Sequence, residues 1–458
     1  MLQFFNTLRR AKEDFKPLHP PAVGLYTCGP TVYNYLHVGN YRSYIFEDVL
    51  RRSLECLGYK VKHVMNITDV GHLTSDSDDG EDKLEVGAAR TGKTAWEVAE
   101  FYTKAFIEDS QLLNFLAPHV LCKATDHVSE QIELVKRLEA KGFAYVIGDG
   151  VYCDTAKLPD YGKLMGPGYQ EGLKAGARVE ANFKKRNPND FALWKFSPQG
   201  KKRQMEWDSP WGRGFPGWHI ECSAMAMKYL GETFDIHCGG VDHIPIHHTN
   251  EIAQSEAATG KPFAKFWMHG EFLLMNNAKM AKSAGGFLTL SDLKEKGFDP
   301  LDYRYHCLTA HYRKQLDFSW ESLESSKTAR RRLREIAQGL KAQPAKPACA
   351  EHENAFRQAL EDDLNLPGAL AVVWDDLRSD LPAGSRAVML KNAEKVLALG
   401  LFDEIESAIS PDLQALIDQR EQARRAKNFA LADKLREELD AQGVLIKDTP
   451  QGVKWRKK

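Results

Sequence analysis

The chain has 458 residues, enough for about three domains of ordinary size. Hydrophobic residues make up 43% and charged residues 27%, the balance of a soluble globular protein rather than a disordered one. A net charge of −1 excludes an overall basic excess, so any nucleic-acid surface has to be a local patch.

The first twenty residues carry basic side chains but no apolar stretch of secretory-leader length, and nowhere do about 18 apolar residues follow one another as a membrane span requires. The cysteines at 28, 56, 122, 153, 222, 238, 307 and 349 show no paired spacing and read as reduced thiols. The expectation is a cytoplasmic protein of several domains, and a monomer, since nothing in the sequence demands a partner.

Val23–Cys28 is a short apolar run stopped by Gly29 and Pro30, which predicts a strand. Between Tyr41 and Leu57, Ile45, Val49, Leu50 and Leu54 recur at helical spacing, and Tyr59–Ile67 is a second β-rich run. Strand, helix, strand is how a parallel α/β sheet with a right-handed crossover begins. From about 126 to 205 the chain is richer in Gly, Pro and charge, with short strand-like pieces at Ala144–Ile147 and Val151–Cys153. That change of character predicts an insertion between two halves of the sheet. β-type runs return at Thr233–His237 and Phe272–Met275. Beyond about Leu290 the pattern is mostly helical, with a polar linker at Lys341–Pro347. Val444–Lys447 and Val453–Arg456 flank a turn with Pro450 and Gly452, which predicts a small hairpin.

Three constellations carry chemistry. The first is His37-Val38-Gly39-Asn40, between the first strand and its helix. Ligands of open α/β sheets bind beyond the carboxyl ends of the strands, where a helix N-terminus attracts phosphate. Gly39 admits close backbone approach, while His37 and Asn40 can donate to phosphate charge. Taken alone, four residues of this kind are far more often an ordinary strand-to-helix turn. The second is Lys279-Met280-Ala281-Lys282-Ser283, followed by Ala284-Gly285-Gly286: two lysines on a glycine-tailed loop, suited to neutralising a departing pyrophosphate. An isolated pair of this kind is more often a solvated basic loop.

Together, the two resemble the paired signatures of class I aminoacyl-tRNA synthetases. The sequence departs from the usual forms at Asn40, where His is common, and at Ala281, where Ser is common; both lysines and His37 remain.

The third constellation contains His247 and Glu251, four apart, which on a helix project from one face toward one point. Pattern alone does not connect them with Cys28 or Cys222, and each cysteine separately reads as a buried thiol. Tyr26–Tyr33 (YTCGPTVY), Gly217–Met225 (GWHIECSAM) and Gly240–Glu251 (GVDHIPIHHTNE) resemble, in order, the cysteinyl-tRNA synthetase family. The resemblance implies that Cys28, Cys222, His247 and Glu251 hold one Zn2+ that binds the substrate thiol, an acceptable tetrahedral donor set. It also implies a cysteine pocket lined by Thr31, Thr68 and Trp218, although Trp218 alone reads more readily as a core aromatic. Gly239, Gly240 and Asp242 follow a strand-like run, where glycines admit adenine and a carboxylate accepts ribose hydroxyls. His243 and His248 take no assignment beyond support of the site or polar surface.

The likeness continues through Glu361–Pro367 (EDDLNLP), similar to the helical anticodon-side domain of this family. Arg330, Arg331, Arg332 and Arg334 form a basic run read there as phosphate contacts, though such runs are usually solvated faces. Trp455 beside Arg456 offers a stacking platform with charge for unstacked bases, or simply caps the hairpin.

The implied fold is a Rossmann-type parallel catalytic sheet split by an insertion, then a helical-bundle anticodon-binding domain and a small mixed α/β module. The expected divisions are 1–125 and 206–270 for the catalytic halves, 126–205 for the insertion, and 271–320 for the lysine loop and stem-contact region. Residues 321–400 are then the helical domain and 401–458 the terminal module. The implied activity is ATP- and Mg2+-dependent activation of L-cysteine and its transfer to tRNA(Cys). His37, Asn40, Lys279 and Lys282 would serve the chemistry, and Gly39, Gly240 and Asp242 would join His37, Asn40 and Lys282 around ATP. Two alternatives share some of these features: a cysteine ligase to an amino-sugar, which needs no RNA surface, and a non-catalytic tRNA-binding paralogue, which needs no signature residues.

Overall fold

A computed structural model of the chain describes residues 1–71, 82–166, 185–198, 200, 203–275, 278–279, 287–403, 411–449 and 452–457. These residues fall into two compact units, 1–401 and 402–458.

The first unit opens with an antiparallel hairpin, β1 (Gln3–Asn6) and β2 (Ala11–Asp14), which no alternation in the sequence announces. There follow β3 (Ala22–Thr27), α1 (Val38–Cys56), β4 (Lys60–Ile67), α2 (Lys83–Thr91), α3 (Ala95–Leu112) and β5 (Val120–Lys123). Next come α4 (Val128–Ala140) and four strands, β6 (Ala144–Ile147), β7 (Gly150–Cys153), β8 (Ala192–Phe196) and β9 (Gly214–Pro216), paired antiparallel in chain order. The chain then returns through α5 (Trp218–Leu230), β10 (Phe234–Gly240), α6 (Thr249–Thr259) and β11 (Ala264–Gly270).

The main sheet is parallel, in the order β11-β10-β3-β4-β5. β3 therefore lies between the strand that follows it and a strand laid down some 200 residues later. The order reverses between β3 and β10, and the crevice at their carboxyl ends is where such sheets bind ligands. The inserted sheet extends past the expected limit of 205, because Trp194 of β8 pairs with Pro216 of β9.

α1 owes its position to a buried stripe of Val38, Tyr41, Ile45, Val49, Leu50 and Leu54. Its first turn is closed reciprocally: His37 Nδ1 accepts from Asn40 N at 3.1 Å, and Asn40 Oδ1 accepts from His37 N at 3.2 Å.

Beyond β11 lie β12 (Leu273–Met275), β13 (Ala278–Lys279), α7 (Leu290–Glu295), α8 (Pro300–Leu308), β14 (Leu316–Phe318), α9 (Trp320–Leu340), α10 (Ala350–Glu361), α11 (Leu366–Arg378) and α12 (Ala383–Leu397). The second unit is α13 (Pro411–Arg425), α14 (Phe429–Ala441) and the hairpin β15 (Val444–Thr449) with β16 (Gly452–Lys457). Trp455 packs on its core of Ile417, Leu439, Val444 and Ile446. No helix among the described residues is long and apolar enough to cross a membrane.

Two buried arginines tie the helices to one another. Arg304, with no exposed surface, donates to Leu397 O at 2.7 Å, Leu113 O at 3.0 Å and Asp48 Oδ2 at 2.6 Å. Arg330 reaches Leu399 O at 2.9 Å and pairs with Asp302 at 2.9 Å. Replacing Arg304 by Ala strands two buried carbonyls and part of the Asp48 charge, so a loss of about 3–5 kcal/mol is expected in denaturant unfolding. Arg331→Ala, at an exposed neighbour of Arg330, should stay within about 0.5 kcal/mol of wild type in the same assay.

Candidate active site and metal centre

Cys28 follows the last residue of β3, held to the neighbouring strand by its N–H to Cys238 O at 3.2 Å. The turn behind it requires a glycine, since a Cβ at Gly29 would stand 1.7 Å from the Asn66 carbonyl oxygen. Cys222 lies in α5, whose capping Gly217 crosses so close to β8 that a Cβ would meet Ala192 O at 2.0 Å. His247 comes from the approach to α6, where Ile244–His248 forms a π-helical turn, and Glu251 from the first turn of α6 itself. π turns of this kind concentrate at functional sites. Cys28, Cys222, His247 and Glu251 are all buried, and their donor atoms lie within 4.8 Å of one another.

The π turn also brings in His248, whose Nε2 is 3.3 Å from Cys28 Sγ. With His237 of β10 it completes a second, overlapping quartet, Cys28, His237, His248 and Glu251. The imidazoles of the two sets differ in their hydrogen bonds. His247 turns Nε2 to Glu251 Oε1 at 3.0 Å and Nδ1 to His219 Nδ1 at 3.0 Å, as a ligating imidazole does when its outer nitrogen is anchored. His237 Nε2 instead holds the other Glu251 oxygen, Oε2, at 2.9 Å. His248 Nδ1 meets His269 Nε2 at 2.8 Å, and His269 Nδ1 meets Thr7 Oγ1 at 2.8 Å.

Burial raises the Cys222 thiol, but a hydrogen bond from Cys28 and the charge of His247 outweigh it and bring the group down to about 6. Burial works against the His247 cation, yet Glu251 and Cys222 carry it up to about 10. Burial opposes the Glu251 charge too, and His237 and His247 hold the carboxylate well below its usual range. Burial, with Cys222 and Glu251 alongside, pushes Cys28 well up. His219, His248 and His269 are driven well down, chiefly by burial and then by neighbouring histidines such as His243, and are neutral. The described cluster thus holds an imidazolium against a thiolate and a carboxylate.

A cavity of about 410 Å3 opens beside the cluster, lined among others by Cys28, Thr31, His37, Gly39, Asn40, Trp218, Gly240 and Asp242. Trp218 lies over His247 with ring centroids 4.3 Å apart. Thr68 does not line it. Only 2% exposed, its hydroxyl accepts from Asn66 Nδ2 at 3.1 Å and its backbone bonds to Pro30 and Val32, so it props the Thr31 loop from behind. His248, fully buried, is not polar surface, and His243 borders the cavity. Lys279 ends β13 opposite Leu274, with only its backbone described; Lys282 lies outside the described residues.

Of the arginines, Arg331 and Arg332 are exposed and Arg334 is half-buried. Arg330 is 4% exposed and committed to Asp302, Asp299 and Leu399, which corrects its expected place among the phosphate contacts. Of Arg456 only the backbone is described.

Sequence reasoning missed His219, His237 and His269. His237 and His269 sit inside apolar strands and His219 inside a buried helix, where a lone histidine carries no periodic signal.

The profile of the class I (C) tRNA synthetase catalytic domain matches residues 14–328, and that of the cysteinyl-tRNA ligase anticodon-binding domain matches residues 406–456. A cysteine–tRNA ligase 1 of Burkholderia lata is 51% identical over 98% of this chain and 96% of its own length. A cysteine–tRNA ligase of Treponema denticola is 44% identical over 100% of this chain and 99% of its own length. Neither the amino-sugar ligase nor the non-catalytic paralogue finds support in these relatives. Among solved structures, Mycobacterium tuberculosis methionyl-tRNA synthetase in complex with methionyl-adenylate superposes with a TM-score of 0.54 at 16% identity, covering 82% of this chain and 90% of that one. The ternary complex of Agrobacterium radiobacter K84 LeuRS, tRNA and LeuAMS gives 0.60 at 11%, covering 84% of each. These two likenesses speak for the fold; the family follows from the profiles and the full-length relatives, and the chain belongs to the cysteine–tRNA ligases of the class I aminoacyl-tRNA synthetases.

Proposed function

We propose that Cys28, Cys222, His247 and Glu251 hold one Zn2+ per chain and that this centre selects L-cysteine. The supporting observation is the convergence of two thiols, an imidazole and a carboxylate from three separate elements into one buried cluster. With Cys28 and His247 deprotonated on binding, two thiolates, a carboxylate and a neutral imidazole would face the ion, a donor set that zinc accepts. Bound there, zinc supplies a soft centre that prefers thiolate to hydroxyl, so serine is refused where an apolar pocket alone discriminates poorly.

Trp218 and Thr31 form the walls around the small substrate, with Thr68 as the prop of the Thr31 loop. The α1 cap occupies His37 Nδ1 and Asn40 Oδ1, so phosphate contacts fall to His37 Nε2 and the Asn40 amide N–H groups. Gly39 gives the nucleotide room, and Gly240 and Asp242 receive the adenosine. The cysteine carboxylate attacks the α-phosphorus of ATP, and pyrophosphate leaves toward Lys279, Lys282 and the Mg2+ that accompanies ATP. A hydroxyl of the terminal tRNA(Cys) adenosine then takes the cysteinyl group, and AMP leaves. The chain contributes orientation and electrostatics, with no covalent nucleophile.

Arg331, Arg332 and Arg334, with Trp455 and Arg456 of the second unit, are the proposed tRNA contacts. A cytoplasmic monomer is the proposed working form.

Two outcomes test the metal reading. Purified protein with zinc and magnesium should catalyse cysteine-dependent ATP–pyrophosphate exchange, and Cys222→Ser should weaken zinc affinity roughly 100-fold in chelator competition while raising the KM for cysteine. An unchanged affinity removes Cys222 from the ligands. Zinc uptake is also pH-dependent, because Cys28 and His247 both carry protons at neutral pH in the metal-free cluster, whereas Cys222 and Glu251 do not. Near pH 8, uptake should release about two protons, and affinity should strengthen with rising pH, less steeply once His247 has lost its own proton near pH 10 while Cys28 still holds one. Calorimetry in buffers of different ionisation enthalpy measures that number.

A further inference from the structure

The corner between α10 and α11 contains Glu361–Pro367, a stretch to which the reaction described above gives no part. Asp363 in it has no exposed surface. Asp363 and Leu364 both adopt the left-handed backbone at φ +55°, which costs residues that have a Cβ and is retained where surroundings hold it. The Asp363 carboxylate is what holds it. Oδ1 accepts from Phe5 N at 2.8 Å and Tyr312 OH at 2.7 Å, and Oδ2 accepts from Arg313 Nε at 2.7 Å and pairs with Arg313 Nη2 at 2.6 Å.

Tyr312 and Arg313 belong to the segment that supports the lysine-bearing strands. Tyr312 O accepts from Glu271 N at 2.8 Å, and Leu316 N donates to Phe272 O at 3.2 Å. β14 then runs parallel to β12, Leu316 opposite Leu273 and Phe318 opposite Met275, and β12 pairs with β13 at Lys279. On its other side the Tyr312 ring stacks on Phe46 of α1, centroids 4.3 Å apart and planes within 4°. Arg42 of the same helix donates to Phe272 O and Lys314 O. One tyrosine therefore touches the supports of both signature motifs, and Asp363 fixes that tyrosine.

We propose that Asp363 is a positioning residue for adenylate formation: by holding Tyr312 and Arg313 it sets β12, and with it Lys279, against the helix capped by His37. A displacement of about 1 Å in such an arrangement is enough to cost roughly 100-fold in rate. The proposal rests on the role given to Lys279 above.

The test uses the full chain with zinc bound and counts active sites by titration. Asp363→Asn keeps the shape but leaves the Arg313 guanidinium without its anion. It is expected to lower kcat for cysteine-dependent ATP–pyrophosphate exchange roughly 10- to 100-fold, with the KM for cysteine and the zinc content unchanged. Tyr312→Phe removes one hydroxyl and keeps the stacking, and should lower the same kcat roughly 2- to 10-fold. Wild-type kcat per active site in Tyr312→Phe, or a fall in kcat matched by a rise in the KM for cysteine in either variant, overturns the proposal. Tyr312→Phe decides alone if Asp363→Asn does not fold. Lys279→Ala separates the two layers. Full exchange in that variant removes the lysine role and the positioning with it, whereas loss of exchange there with an unaffected Asp363→Asn overturns the positioning only.

Discussion

A carboxylate with no exposed surface must be met by donors on every side, and Glu251 imposes that demand on the centre of this molecule. His237 takes one oxygen and His247 the other, each from a different element. Taking away one partner of such a buried pair costs about 3–5 kcal/mol, because the charge left behind has nowhere to go. The neutral histidines around it follow from the same demand. His219 can orient His247, and His248 can lean on His269 and Thr7, only as uncharged rings in so dry a place. The cluster is thus built for one cation's worth of positive charge and little more.

Sheet topology explains how residues about 200 positions apart meet there. β3 ends just before Cys28, β10 lies beside it, and α5 and α6 bracket β10 in the chain. The insertion leaves after β5, at the far edge of the sheet, and returns through Gly217 at the start of α5. It can therefore carry its own four-stranded sheet without displacing the ligands.

Much of this was legible beforehand, for identifiable reasons. β3, α1 and β4 are written in local apolar patterns, and the His247–Glu251 pair in helical spacing. The π turn was not, since it widens the helix by one residue and draws the adjacent His248 inward with His247. Cys28 and Cys222 were connected only through resemblance, because strand adjacency across an insertion leaves no mark in spacing. Arg330 looked like its neighbours in a basic run, yet helix geometry turns it alone into the interior, toward Asp302. Thr68 is near the substrate side of the sheet but one layer behind it, a distinction of a few ångströms that sequence does not encode.

The bonds from Arg304 to Leu397 and from Arg330 to Leu399 bear on how such a protein can be divided. Both carbonyls sit at the very end of the helical region, so a catalytic half cut after α8 would leave the Arg304 guanidinium without its Leu397 carbonyl and Asp302 without Arg330. The helices after α8 are in this sense not a detachable adaptor but part of the catalytic half's own interior. Exchange of parts between related proteins, by recombination or by design, is cheapest where no such bond crosses. In this chain the first compact unit ends at Leu401, just past both carbonyls. A cut anywhere between α8 and Leu397 separates Arg304 from the Leu397 carbonyl.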